Sequence, residues 1–197
     1  MTRRLVKMAA AWTLAALCAA CASSPAHFYT LSPTVAAASG SEASASKPVV
    51  VVGPVSIPAI VDMPQIVVSK GANQVDPDQF NLWASPLRNN ISQVVCANLG
   101  ALLGTSSVSS VLRVDADYRV EIDVQVFESV PGDAATLSAM WSVRRVKDGV
   151  TSLGHTQIRE ASPEKGYQAL AAAHSKALSQ LSTDIAEKIR VLDHAGT

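Results

Sequence analysis

Residues 118–160 alternate between apolar and polar side chains along three successive stretches, and this pattern is the strongest constraint on the fold. The first stretch runs from Tyr118 to Phe127, with these residues on its apolar side: Tyr118, Val120, Ile122, Val124 and Val126. The second runs from Ala135 to Val146, with Leu137, Ala139, Trp141 and Val143 facing inward. After a hairpin signal at Lys147-Asp148-Gly149, the third runs from Thr151 to Glu160. A period of two is typical of an antiparallel sheet that is covered on one face only.

Two segments repeat apolar residues every three or four positions and therefore predict amphipathic helices that cover this sheet. The first follows Ser85-Pro86, where we expect serine as the N-cap and proline in the first helical position. The second is expected from Pro163 to Leu192. His174 lies near the apolar side of the second helix, and we interpret it as a core or boundary histidine and not as a metal ligand.

Shorter runs complete the predicted order of elements. We expect strands at residues 49–52, 65–69 and 108–114, and a weaker strand at residues 73–82 that is broken at Asp76-Pro77. The resulting order is β-β-β-α-β-β-β-β-α. This order predicts an α+β fold, with a largely antiparallel β-sheet and two amphipathic helices packed on one face. Residues 49–193 are expected to form a single domain.

The first 20 residues have the organisation of a secretory signal peptide. Three basic residues precede an apolar run of about 13 residues, which is shorter than the roughly 20 needed to span a bilayer. Cys21 follows directly, and this junction resembles the lipobox of bacterial lipoproteins. The resemblance implies that Cys21 is acylated, with palmitate for example. Because Ala22 stands where the inner-membrane retention signal is aspartate, it also implies sorting to the outer membrane. The alternative is an ordinary signal peptide that leaves Cys21 as a free thiol.

Residues 21–48 are rich in alanine, serine and proline, a composition that predicts an unstructured tether. The run from His27 to Leu31 interrupts it with aromatic, strand-forming residues. If residues 28–31 dock on the domain, only six residues separate Cys21 from Phe28. Such a linker spans at most about 25 Å. We expect the stretch from Ser32 to Lys47 to be a mobile surface loop.

Charge and motif content disfavour nucleic-acid binding and catalysis. Three of the 16 basic residues lie in the first 20 positions, which leaves 13 basic against 16 acidic residues and no basic block. The sequence lacks a Gly-rich phosphate loop, a His-Glu-x-x-His motif and a Gly-x-Ser-x-Gly motif. The carboxylates between Asp115 and Asp123 fall on the polar face of a strand, and we interpret Cys96 as a buried thiol. We therefore predict no catalytic residue, no metal site and no cofactor.

The segment from Gly53 to Leu87 carries an unusual order of prolines, polar residues and a tryptophan. Its distinctive parts are Gly53-Pro54-Val55, Ile57-Pro58, Val61-Asp62-Met63-Pro64-Gln65-Ile66-Val67 and Leu82-Trp83-Ala84-Ser85-Pro86-Leu87. Together with the aromatic start at Phe28-Tyr29-Thr30-Leu31, this order resembles the auxiliary lipoproteins of ABC-type transport systems. These are the PqiC-like, or membrane-integrity-associated transporter, subunits. Met63 departs from that family, which commonly has arginine after the aspartate.

The resemblance implies a role in binding and assembly and not in catalysis. It implies a lipid-anchored protein on the periplasmic face of the outer membrane. The implied partners are an MCE-domain protein that spans the periplasm, its inner-membrane complex, and further copies of the chain in a ring. The implied activity is lipid transport between membranes.

Four residues would lie in the family's signature region and are the predicted partner-binding residues: Pro58, Asp62, Pro64 and Trp83. The alternative is structural, with the prolines fixing an edge crossing and Trp83 filling the core beneath the first helix. Two other functions stay open at this point. One is a structural envelope lipoprotein without a role in lipid transport. The other is a periplasmic hydrolase, which would need a Ser or Cys beside His155 or His174.

Overall fold

The computed structural model describes residues 25–35, 47–111 and 113–195, and this part of the chain folds into strands and two helices. The strands are β1 (His27–Tyr29), β2 (Val50–Ser56), β3 (Gln65–Gly71), β4 (Gln74–Trp83), β5 (Val108–Ser109), β6 (Tyr118–Val130), β7 (Ala134–Arg145) and β8 (Thr151–Ala161). The helices are α1 (Leu87–Leu103) and α2 (Tyr167–His194). From β2 onward, the order of elements and the α+β class confirm the prediction. The predicted signal peptide and Cys21 lie outside the described residues.

Five strands form one sheet in the order β5-β2-β6-β7-β8. Strands β6, β7 and β8 are antiparallel, as the alternation predicts, whereas β2 is parallel to both β5 and β6. Both helices pack against this sheet. The four residues of β7 that were predicted to face inward are at most 6% exposed. On the other side of β7 and β8, Met140 and Leu153 are 39% and 71% exposed, so this side faces solvent.

A bulge in β6 reverses one part of the predicted alternation. Val126 was predicted to face inward but is 38% exposed. Val124 pairs with Ala139 and Val126 pairs with Ser138, so Gln125 is an extra residue in β6. An extra residue changes the face to which the following side chains point. Phe127 therefore enters the core in place of Val126 and is 5% exposed.

The other three strands form a second sheet in the order β1-β4-β3, and β3 adjoins β6. Strand β1 is parallel to β4, and β3 is antiparallel to it. Strand β4 continues through Asp76-Pro77, where the sequence predicted a break. Because β1 pairs only with residues 81–83, it does not reach Pro77, and the missing N–H of this proline costs no hydrogen bond to β1.

Several element boundaries differ from the prediction; strand β2, for example, continues through Gly53-Pro54 to Ser56. Pro86, and not Ser85, occupies the N-cap position of α1, and no side chain caps the helix. Helix α2 begins at Tyr167 because Gly166 has an extended backbone. Strand β5 is only two residues long, and Val114, which was assigned to it, is 98% exposed. In the described part of the chain, no helix combines the length and the apolarity needed to cross a bilayer.

Trp141 connects the five-stranded sheet to α2. Its indole Nε1 donates to Thr156 Oγ1 at 3.0 Å, and the Thr156 hydroxyl donates to Asp184 of α2 at 2.6 Å. Gly154 stands opposite Trp141 in β8, and a Cβ atom at that position would lie 2.1 Å from the indole. Glycine is therefore required there, because any side chain would displace the tryptophan that joins the sheet to the helix.

Residues 31–35 lie against the two helices, and their backbone N–H groups provide hydrogen-bond partners for three buried polar side chains. Asn90, Asn98 and Ser175 are at most 6% exposed, yet each accepts a hydrogen bond from a backbone N–H of this segment. The bonds are Leu31 N to Asn90 Oδ1 (2.7 Å), Ser32 N to Ser175 Oγ (3.1 Å) and Val35 N to Asn98 Oδ1 (3.4 Å). The rest of the surface loop predicted between Ser32 and Lys47 lies almost entirely outside the described residues.

Tyr29 joins β1 to β4 and to the start of α2. Its hydroxyl donates to Asn81 Oδ1 at 2.9 Å, and its ring centroid lies 5.9 Å from that of Tyr167. The Tyr167 hydroxyl in turn donates to Asp78 Oδ2 at 2.6 Å. Burial raises the pKa of Asp78, but hydrogen bonds from Tyr167, Phe80 and Asn81 outweigh it and bring the pKa to about 2. Asp78 is therefore an ionised acceptor that helps to fix the position of the N-terminal strand.

Candidate functional site

The proline loop, residues 58–64, connects β2 to β3 and contains three of the four predicted partner-binding residues. Pro58 is half-buried, whereas Asp62 and Pro64 are exposed. Val61 is 6% exposed and anchors the middle of the loop in the core. The backbone N–H of Val61 donates to the Pro58 carbonyl at 3.1 Å, and the N–H of Trp83 donates to the Pro64 carbonyl at 2.7 Å. The loop therefore presents its surface residues from a fixed base.

Asp62 forms an ion pair with Arg88 of α1. The side chains of Arg88 and Asp62 are 50% and 38% exposed, so the pair contributes at most about 1 kcal/mol to stability. Met63, the next residue, packs half-buried against the core. In this chain the basic neighbour of Asp62 is thus supplied by the helix and not by the loop.

Beside the proline loop lies a groove of about 280 Å³ between the two sheets. Ile60 of the loop, Val75 of β4 and Val126 of β6 line it and are 53%, 45% and 38% exposed. Ser69 Oγ donates to Glu128 Oε1 at 2.7 Å within the same lining and so links β3 to β6. The groove depends on the β6 bulge, because the bulge turns Val126 outward.

Trp83, the fourth predicted partner-binding residue, lies in the core and not beside the other three at the surface. Its side chain is 6% exposed, and its ring packs edge-to-face on Phe127 with centroids 6.2 Å apart. This placement agrees with the structural alternative. The structure thus brings Pro58, Asp62 and Pro64 together at the surface, with Trp83 supporting the loop from below.

Two serine–histidine pairs lie within hydrogen-bond distance, as a hydrolase would require. Ser129 Oγ is 2.8 Å from His174 Nε2, and Ser138 Oγ is 3.0 Å from His155 Nε2. Ser129 is 2% exposed and His174 fully buried, so a substrate has no access to that pair. In the second pair, Ser138 is 8% exposed. Among the described residues, no carboxylate hydrogen-bonds to either imidazole, so neither pair has the third group that orients the base in a triad.

Metal and thiol chemistry receive no support from the described residues. Within them, no group of three His, Cys, Asp or Glu side chains is placed to hold a metal ion. Cys96 is a free cysteine, and burial raises its pKa to about 11 despite a hydrogen bond with Ser92. The thiol is therefore protonated at neutral pH, which fits the interpretation of Cys96 as a packing residue.

The sequence matches one protein family over most of its length. The model of a family described as the ABC-type transport auxiliary lipoprotein component matches residues 29–186. The chain belongs to this family. The match extends from the end of β1 into α2 and includes the whole proline loop and Trp83.

Two crystal structures are similar to this auxiliary lipoprotein. One, of an uncharacterized protein, has a TM-score of 0.71 and 21% identity and covers 84% of this chain and 99% of its own. The other, of a protein from Xanthomonas campestris, has a TM-score of 0.70 and 23% identity and covers 87% of this chain and 100% of its own. At these identities the similarity shows the fold alone. No curated protein has significant sequence similarity to the chain.

The auxiliary lipoprotein also has a buried arginine that no sequence motif marks. Arg145 is 7% exposed and donates to the Asp148 carboxylate from Nε at 3.0 Å and from Nη2 at 2.7 Å. Its Nη1 donates to the Leu192 carbonyl. The β7–β8 turn is thereby joined to the end of α2. The burial of Arg145 could have been predicted from strand alternation, because Arg145 lies two residues after the inward-facing Val143 and therefore on the same face of β7.

Proposed function

We propose that this protein is a lipoprotein subunit of an MCE/ABC-type intermembrane lipid-transport system, anchored through Cys21 to the periplasmic face of the outer membrane. It acts by binding and assembly and performs no catalysis. The family match over residues 29–186 is the observation that carries the proposal. The lipobox-like junction at Cys21 supports the anchor.

The partner-contact surface in this proposal is the proline loop together with its groove. Three apolar side chains, Ile60, Val75 and Val126, are exposed around one concave site of about 280 Å³. Exposed apolar side chains that surround a concave site are typical of protein-interaction surfaces. The loop base is held by backbone hydrogen bonds, so little conformational entropy is lost on binding. The partner proposed for this surface is the MCE-domain protein that spans the periplasm, and the subunit works as part of a homo-oligomeric ring.

Affinity purification from detergent-solubilised envelopes tests the partner. We expect the wild-type chain to recover an MCE-domain protein and its inner-membrane permease and ATPase. Ile60→Asp places a charge in the groove and should reduce this recovery at least about tenfold, since an unpaired buried charge costs several kcal/mol. Val111→Asp is the matched control, because Val111 is 69% exposed and lies outside the groove lining.

Two outcomes would contradict this proposal at different levels. Recovery of unrelated envelope proteins alone, with the bait intact, would favour a structural envelope lipoprotein. Equal losses for the Ile60 and Val111 variants would remove the groove as the contact surface but leave the partner in place.

Replacement of the predicted lipid site tests the anchor. Cys21→Ser removes the thiol that would carry the acyl chains, so we expect the protein to move from the outer-membrane fraction to the soluble periplasmic fraction. Each buried CH₂ group of an acyl chain contributes about 0.8 kcal/mol, so loss of the chains should abolish membrane retention. Fractionation with immunoblotting measures the change. A variant that stays in the outer membrane would show that Cys21 is not the anchor.

A further inference from the structure

We propose that the outer face of the three-stranded sheet, at Phe28 and Phe80, rests on the bilayer surface that holds the acyl chains of Cys21. The two phenylalanines would insert into the region between the lipid headgroups and the acyl chains. This inference rests on the proposed lipid anchor, but it adds a second membrane contact and a defined orientation of the domain.

Two exposed phenylalanines lie close together in the β1–β4 part of this sheet. Phe28 is 65% exposed and Phe80 is 42% exposed. Phe28 pairs with Leu82 in the β1–β4 register, and Phe80 lies two residues before Leu82 in the same strand. Side chains of paired residues point to the same face, so Phe28 and Leu82 share the outer face. Phe80 precedes Leu82 at a bulge of β4, where residues 78–81 fall between the pairs Val67–Pro77 and Gln65–Leu82, and its ring is exposed beside them. Tyr29 pairs with the buried Trp83 and belongs to the opposite, core-facing side.

Strand β1 has a fixed position on the domain, so Phe28 cannot move independently of it. The backbone N–H of Ala84 donates to the Tyr29 carbonyl at 2.8 Å, and the Tyr29 hydroxyl donates to Asn81 Oδ1 at 2.9 Å. Two residues further on, Leu31 N donates to the buried Asn90 side chain at 2.7 Å. A force applied through the chain before residue 27 is therefore transmitted to the domain itself.

The length of the preceding chain brings this face to the membrane. Six residues separate Cys21 from Phe28, and such a segment spans at most about 25 Å when fully extended. The edge formed by β1 thus cannot lie further than this from the surface in which Cys21 is anchored. This upper bound keeps the two phenylalanine rings within reach of the bilayer surface.

The chemistry of the two side chains suits this position. Phenylalanine is one of the residues that interfacial protein surfaces bury about 5–10 Å into the boundary between headgroups and acyl chains. Insertion of two rings would also oppose rotation of the domain about its tether. The proline loop and its groove would then keep a defined orientation relative to the membrane, as a subunit that docks a periplasm-spanning partner requires.

Fluorescence quenching by spin-labelled lipid tests the inference with the full chain. The mature Phe28→Trp protein, with its acylation verified by mass spectrometry, is reconstituted into vesicles of phosphatidylethanolamine and phosphatidylglycerol that contain doxyl-labelled phospholipid. The native Trp83 and Trp141 are each 6% exposed and supply a buried background. Leu153→Trp is the matched control, because Leu153 is 71% exposed and lies in β8 of the other sheet.

We expect the doxyl lipid to reduce the emission of the introduced Phe28→Trp indole by roughly half, since its ring would lie at the depth of the label. The Leu153→Trp emission should be unchanged by the lipid and be quenched by aqueous iodide. Equal lipid quenching of the two variants, or none in either, would overturn the proposal. An indole at position 28 that is shielded from both quenchers would indicate a protein partner or a second copy and would also overturn it. Failure of the anchor itself is separate, because it appears as an unmodified Cys21 in the mass spectrum.

Discussion

Replacement of Trp83 by alanine is expected to lower the free energy of unfolding by about 3–5 kcal/mol. The indole is 6% exposed and packs edge-to-face on Phe127, with ring centroids 6.2 Å apart. Truncation would open a cavity where the three-stranded sheet meets β6, directly below the proline loop. The backbone bond from Trp83 N to the Pro64 carbonyl would lose its packed surroundings, so the loop should loosen as well. Urea unfolding of the purified domain measures the loss.

Two further variants separate packing from general damage. Trp83→Phe keeps an aromatic ring against Phe127 and should cost clearly less than alanine. Phe80→Ala removes a ring that is 42% exposed and should change stability by no more than about 0.5 kcal/mol. An unchanged unfolding midpoint for Trp83→Ala, together with loss of partner recovery, would contradict the core assignment and place the indole in the interface.

The regular part of the fold was accessible from sequence because periodicity reports burial directly. The inward residues of β7 and the amphipathic stripes of both helices follow from spacing alone. Gln125 shows the limit of this reasoning. An extra residue in a strand leaves no mark in a short apolar pattern, and only the pairing with β7 shows that Val126 points outward and Phe127 inward.

The buried polar residues of the helices could not be assigned from sequence for a different reason. Asn90, Asn98 and Ser175 accept backbone N–H groups from residues that lie 59, 63 and 143 positions away in the chain. In isolation, each would be expected on a solvent-facing side of its helix. Their role depends on the docking of residues 31–35, which is a tertiary contact that propensity and spacing do not encode.

In the candidate site, too, some features could be predicted from the sequence and others depend on the tertiary structure. The prolines and the aspartate of residues 58–64 could be identified from the sequence, because prolines interrupt strands and this stretch has a single acidic residue. The groove beside them was not identified, since it needs Val75 from one sheet and Val126 from the other. Trp83 could be identified from the sequence in the same way. Its burial in the core could not, because that burial depends on the inward orientation of Phe127.

Acidification is expected to destabilise the protein through His174. The imidazole is fully buried, stacks on Phe127 with a centroid distance of 3.7 Å, and has one hydrogen bond, to Ser129 Oγ. Its Nδ1 has no partner among the described residues. Burial lowers the pKa of His174 from 6.5 to about 3, because the cation would lose its hydration.

The direction of this pH dependence of stability follows from proton linkage. Between about pH 6.5 and pH 3, the unfolded chain carries a proton on this histidine and the folded chain does not. Stability is therefore fully present above pH 6.5 and falls by up to about 1.4 kcal/mol for each unit of acidification within that window. Between pH 7 and pH 5 the expected loss is about 2 kcal/mol. Asp78 also loses its stabilising effect on acidification, but mainly below pH 4, because its pKa falls from 3.8 unfolded to about 2 folded.

Urea unfolding at pH 5, 6 and 7 tests this expectation, with His174→Gln as the control. Glutamine keeps a hydrogen-bonding group near Ser129 but does not titrate, so the variant should be less stable at pH 7 and lose little further stability at pH 5. The difference in slope between the two proteins isolates the histidine from the carboxylates, which titrate alike in both. Parallel stability curves for the wild type and the glutamine variant would show that the pKa of His174 is the same in the folded and unfolded states, so that the folded protein carries the proton at pH 5. The imidazole would then have to reach water, and the tight packing of α2 against Phe127 could not hold.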